Sequence, residues 1–197
     1  MNKFSNLNNM RKIIVVLGIV GSILACRTEE NLPPEPGLYD YYPGKATAVK
    51  DDQEWKAIAG SWSRVSSGEE FLSLRLGVYT EYEENREVLF VENIPLVIQE
   101  NPIHEEYISH NRAWVQGTFH TLIADDDVLD KSYRVLGDSS YITVTAYDPV
   151  TKMIEGEFEI TFIIDERWDK PTYTSADTLR FRQGRFKVPV GQPGEEK

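Results

Sequence analysis

Few residues in this chain combine the type and the spacing that chemistry needs. A His-Glu-x-x-His pattern on a helix puts two imidazoles on one face, where they share a zinc ion. His104-Glu105 starts that pattern, but Ile108 stands where the second histidine belongs and His110 comes six residues on. A solvated polar loop is therefore expected there. Asp125-Asp126-Asp127 with Asp130 offers the carboxylate oxygens that calcium prefers. Asp130 occupies the glycine place of a calcium loop and Leu136 the place of its closing glutamate, so an acidic loop capping a short helix is expected. No serine lies in a Gly-x-Ser-x-Gly elbow, and no activated nucleophile sits beside a base. Glycoside hydrolysis uses two carboxylates, and among 32 acidic residues no pair stands out. The expectation is a protein that is not an enzyme and that holds no metal and no cofactor.

Cys26 is the exception. It is the only cysteine, so no internal disulfide forms and the folded part must rely on its hydrophobic core. Lys3, Arg11 and Lys12 precede an apolar run, Ile13 to Ile23, that is shorter than the roughly 20 residues a bilayer needs. This is the length and flank of a cleaved signal peptide. Ile23-Leu24-Ala25-Cys26 is similar to a bacterial lipobox, with Leu24 where a small residue is more common. The similarity implies cleavage before Cys26 and a thioether from its thiol to diacylglycerol. Diacylation plus N-acylation, with chains such as palmitate, gives stable anchoring. The next residues, Arg27-Thr28-Glu29-Glu30, resemble the acidic signal that sends Bacteroidetes lipoproteins to the outer face of the outer membrane. The membrane is thus the first expected partner, reached through the lipid at Cys26, and surface display is the expected location.

The elements that carry these residues follow from composition and period. Residues 1–25 are the signal, 26–45 the lipidated cysteine and a proline-rich tether, 46–190 a single β domain, and 191–197 a tail. Pro33, Pro34, Pro36 and Pro43 keep the tether extended. The whole chain carries −11 and the signal +3, which leaves −14 on the mature protein. That charge excludes nucleic acid, whose phosphates require Lys and Arg.

Inside the domain the dominant period is two. Leu72, Leu74 and Leu76 alternate with polar residues, as do Ile142, Val144 and Ala146, and Phe158, Ile160, Phe162 and Ile164. Such segments are half-buried strands, and one-sided alternation implies antiparallel pairing. Asp148-Pro149-Val150-Thr151-Lys152 is a hairpin turn. Gln183-Gly184 shifts the phase of Leu179 and Phe181 to that of Phe186 and Val188, which predicts a bulge or turn. Thr47–Lys56, Glu87–Val91 and Trp114–Leu122 are weaker strands, and Glu100–His110 and Asp125–Tyr133 are helix candidates. The expected fold class is all-β: an antiparallel β-sandwich or flattened barrel of about eight strands, with at most short helices.

Several blocks resemble small Bacteroidetes lipoproteins of unknown function. They are Ala46–Val49 with Glu54–Ala57, Arg86–Pro95, Asp127–Asp130, Tyr141–Phe162 and Ala176–Phe186. The resemblance implies a lipoprotein with a β-rich fold and no catalytic residues to transfer. Where this chain has Lys50-Asp51-Asp52, many members of that family show a glycine-containing turn. Gly60-Ser61-Trp62 also resembles the Gly-x-Trp of lipocalins, which would imply a barrel around an apolar ligand; the plainer expectation is a core tryptophan beside a glycine turn.

Aromatic residues remain as candidate contacts. Trp62, Trp114, Trp168 and the tyrosines offer ring faces for sugars. Trp168, between charged residues and before Pro171, is expected in an exposed loop and is the first candidate, with Trp62 second. Asp177-Thr178-Leu179 matches a short Bacteroidetes O-glycosylation pattern. The expected function is a non-enzymatic surface binding or structural module with a glycan or protein partner.

Overall fold

A computed structural model describes residues 43–80, 84–105, 114–123, 128–137, 139–167 and 176–191. Cys26, the 125–127 aspartates and Trp168 lie outside the described residues. The described part is all-β, as the alternation predicts, with ten strands in one sheet. They are β1 (Gly44–Lys50), β2 (Gln53–Ser66), β3 (Glu69–Tyr79), β4 (Asn85–Pro95), β5 (Glu100–His104), β6 (Val115–Leu122), β7 (Leu129–Val135), β8 (Tyr141–Asp148), β9 (Met153–Ile164) and β10 (Thr178–Pro189).

The pairings form a closed circuit. β1, β2, β3, β4, β6, β7, β9 and β10 follow one another, and β10 returns to β1. Of the two expected architectures this is the barrel. β5 and β8 fill the interval between β6 and β9 over the stretch that β7 does not reach. Among these ten strands only the short β5–β6 pairing is parallel.

Turn chemistry closes the hairpins. Asp51 (φ 48°) and Asp52 (φ 67°) form a two-residue turn between β1 and β2, with both residues in the left-handed region that a type I′ turn requires. Glycine is not needed here because β10 holds both aspartates. The Arg180 amide donates to Asp51 Oδ1 (2.9 Å), the Asp51 amide donates to the Arg180 carbonyl (3.0 Å), and Arg182 pairs with Asp52. The expected Asp148 hairpin is present, and Asp148 Oδ1 accepts from the Val150 amide at 2.9 Å.

The inward faces pack into one core. Leu72, Leu74, Leu76, Leu89, Ile142, Ile154, Phe158, Ile160, Phe162 and Phe181 are buried in it. Phe119, Phe162 and Phe181 meet with centroids 5.3–5.8 Å apart, and Trp55 stands edge-on to Phe181 at 5.1 Å. Between β9 and β10 the packing is reciprocal. Phe186 faces Gly156, and Phe158 faces Gly184. A Cβ on Gly156 would lie 2.3 Å from both Phe186 Cζ and the Thr143 carbonyl oxygen, and one on Gly184 would lie 2.5 Å from the Phe158 ring. Each ring occupies the space that the opposite glycine leaves. Gly156→Ala is therefore expected to cost about 3 kcal/mol, read as a lower urea midpoint; an unchanged midpoint contradicts this packing.

Several expectations need correction. Glu100–His104, inside one helix candidate, and Leu129–Val135, overlapping the other, are strands β5 and β7. Their ladders with β8, β6 and β9 supply backbone partners that a helix would have had to supply itself. The Ile142–Val144–Ala146 face breaks at a bulge between Val144 and Ala146, so Ala146 is exposed and Tyr147 turns to the core. The Gln183-Gly184 bulge is present, and Gln183 (φ 52°), not the glycine, takes the left-handed conformation. The sheet begins at Gly44, inside the expected tether, and Gly191, in the expected tail, bridges to Trp62.

Candidate functional site

Alternation puts one set of side chains outside the barrel, and on β2, β3, β4 and β6 that set is rich in aromatic rings and arginine. Trp62 lies on β2 opposite Ser73 of β3, and Arg64 lies opposite Phe71. Trp62 is thus a half-buried residue of the outer face, not the core tryptophan of the plainer expectation, and Gly60 is within a strand rather than at a turn. Arg64 lies over the Phe71 ring, 5.3 Å from its centroid. Its Nη2 donates to Asn93 Oδ1, while Nη1 is buried with no hydrogen-bond partner among the described residues.

Asn93 reaches this face through a bulge. Leu72 pairs with Ile94 and Leu74 with Val91, so β4 carries one extra residue, and Asn93 has a φ of 63°. Its Nδ2 donates to the Trp114 carbonyl at 3.0 Å. Trp114 is 38 % exposed and stacks on His104, with centroids 4.8 Å apart and planes 25° apart. A band thus runs from Trp62 through Arg64, Phe71 and Asn93 to Trp114 and His104. It crosses four strand spacings, from β2 through β3, β4 and β6 to β5, about 19 Å at the usual separation. Further along, Arg75 donates to the Tyr79 hydroxyl and lies 5.9 Å from the Phe90 centroid.

Other polar groups that the sequence singles out have partners of their own. His104 stacks on Trp114, and Glu105 pairs with Arg134. Asp130 Oδ2 accepts from Thr121 Oγ1 at 3.2 Å. His120, Ser132 and Asp165 meet where β6, β7 and β9 adjoin: His120 pairs with Ser132, and the Asp165 amide donates to the Ser132 carbonyl. Both oxygens of buried Asp165 are taken by Arg167, through Nε at 2.8 Å and Nη2 at 2.7 Å. His120 has a buried Nδ1 with no partner among the described residues.

Two open grooves flank β1 on the outside. One of about 520 Å³ is lined by Lys45, Arg185, Lys187, Glu155 and Glu157, and Lys187–Glu155 (2.6 Å) and Arg185–Glu157 (3.5 Å) pair across it. The other, about 410 Å³, runs over Lys45, Lys56, Ile58 and Tyr79. Internal pairing leaves the first groove little unsatisfied charge for a ligand.

Acid should loosen the His120–Asp165 corner. Burial lowers the His120 pKa below its ordinary 6.5, partly opposed by Asp165. The unfolded chain therefore takes up protons first, and stability falls as pH drops below about 6.5. The hydrogen bond from Arg167 holds Asp165 below its ordinary 3.8, so its contribution persists above that pH and is lost only in stronger acid. The thermal midpoint is expected to fall between pH 7 and pH 5, and less so in His120→Gln; equal slopes would contradict the assignment.

Sequence reasoning reached Trp62 and Trp114 but not their setting. Arg64, Phe71, Asn93 and His104 were missed, although large aromatic and cationic residues on the water-facing phase of a strand were a signal for three of them. Thr178 opens β10 half-buried, beside exposed Asp177. No family model, curated protein or solved structure matches the chain.

Proposed function

We propose that this is a lipid-anchored protein of the outer membrane that uses the outside of its barrel, not its inside, to bind a glycan without catalysis. The lipobox at Cys26, after the basic and apolar segments that precede it, supports the location. One observation carries the binding reading: the band of Trp62, Phe71, Trp114 and His104 with Arg64 and Asn93 on an outward face. Flat rings accept the C–H faces of sugars, and the Arg64 guanidinium and Asn93 amide stand among them as hydrogen-bonding groups. Trp114 is exposed, and Trp62, Phe71 and His104 are half-buried, so part of each ring stays within reach of a ligand.

A lipocalin-like carrier is the second reading, favoured by the closed strand circuit. Against it, the axis is occupied by Trp55, Phe119, Phe162 and Phe181 in mutual contact. An apolar ligand would have to displace them.

A glycan array followed by calorimetry tests the proposal. Trp62→Ala and Trp114→Ala are each expected to weaken the bound glycan about tenfold, which corresponds to about 1.4 kcal/mol. Binding unchanged in both variants, or an array with no glycan retained, removes it.

A further inference from the structure

We infer that the end of the barrel at which the chain arrives rests on the phospholipid surface through Val65, Val97, Ile98 and Val150. The inference rests on the lipid-anchor reading above. Pairing directions place these residues together. β1 begins at Gly44 at one end of the barrel, and antiparallel pairing brings to that end the β2–β3 turn, the segment after β4 and the β8–β9 turn. Val65 precedes the first, Val97 and Ile98 form part of the second, and Val150 is the tip of the third. They are also the four most exposed large apolar residues described, at 73 %, 51 %, 70 % and 89 %. Ile123, Val128 and Leu129, at the opposite end, are each below 50 %.

The tether decides which surface these tips meet. It joins the domain at Gly44, which lies at this end. From Cys26 to Gly44 are 18 residues, which in extended polyproline form reach about 55 Å. A leash of that length lets the domain ride well above the bilayer, so the lipid alone does not seat it. Apolar tips on three separate connections, facing the anchor, supply that contact. Glu70 pairs with Val65, Glu69 lies one step nearer the β2–β3 turn, and Glu100 follows Ile98 by two residues; all three are exposed. Their charge keeps the insertion shallow and gives no attraction to anionic head groups. A zwitterionic surface is thus the occupant. The aromatic band begins at the Arg64–Phe71 pair, one ladder step further from the β2–β3 turn than Val65.

The test uses the mature lipoprotein in phosphatidylcholine vesicles that carry a spin-labelled lipid quencher. Acylation consumes the thiol of Cys26, the only cysteine, so Val65→Cys, Ile98→Cys and Val150→Cys each give one free thiol for a fluorophore. Gln53→Cys, at the far end, is the control. Quenching is expected to be several-fold stronger at 65, 98 and 150 than at 53. Vesicles that float with the protein but quench all four labels equally overturn the inference and leave the anchor standing. Protein that fails to float overturns the anchor reading and this inference with it. Labels at 65, 98 and 150 that become shielded as protein concentration rises without vesicles assign that end to a second copy, which also overturns it.

Discussion

A Cys26→Ser chain is expected to carry no acyl mass at residue 26 and to vanish from the outer-membrane fraction. The size of that effect follows from the chain lengths involved. Each buried methylene contributes about 0.8 kcal/mol, and one myristoyl chain alone gives only reversible binding, whereas two or more hold stably. Little else in the protein replaces them. The Ile13 to Ile23 run is too short to span, the mature charge of −14 repels anionic lipid, and no helix among the described residues is long and apolar enough to cross a membrane. Four shallow apolar tips orient a tethered domain but do not hold a free one. Mass spectrometry of the N-terminal peptide and density-gradient fractionation read the outcome together. A serine variant that stays wholly with the outer membrane would refute the lipobox.

Phe119→Ala should be the most damaging single truncation in the core, at about 3–5 kcal/mol. Phe119 is fully buried and touches Tyr133 (5.7 Å), Phe162 (5.8 Å) and Phe181 (5.3 Å). Lys50 lies over the same ring, its Nζ 5.1 Å from the centroid, while it pairs with Glu87, which also accepts from Trp55 Nε1 at 2.7 Å. Truncation opens a cavity among rigid rings that are held from three strands and cannot collapse. It also takes the aromatic face from a part-buried ammonium. Domains of this kind have about 5–15 kcal/mol in total, so urea unfolding should show a large leftward shift. Phe119→Leu, which refills much of the space, should lose less than half as much. A loss below about 1 kcal/mol in the alanine variant would contradict this account of the core.

How legible all this was depends on where period two survives. β3 and β9 announce themselves because every inward position is apolar or glycine, from Leu72 to Leu76 and from Ile154 to Ile164. β5 does not, because one of its two buried side chains is Asn101, held by Gln99 Nε2 at 2.7 Å. Hydrophobicity cannot reveal a strand whose inward residue is polar. In β7 the alternation of Tyr133 with its neighbours was present, but the aspartates before it read as a helix cap. Bulges hide the remainder. An extra residue in β4 turns Asn93 outward, and one in β8 exchanges Ala146 for Tyr147, and no local pattern fixes such a change of phase. The aromatic band was invisible for that reason. Its members lie on β2, β3, β4, β5 and β6, and only the ladder brings them side by side.

The return of β10 to β1 bears on the order in which the chain folds. The first strand has both neighbours only when the last is available, since β1 pairs with residues 181–187 on one side and with β2 on the other. Pairings of such wide sequence separation form slowly, after the chain between them has been gathered in. A chain made or delivered from its amino end therefore cannot seal its cylinder until nearly all of it is free to fold. On the proposed route to the envelope, an arrest that withholds residues 178–189 would leave an open, aggregation-prone sheet.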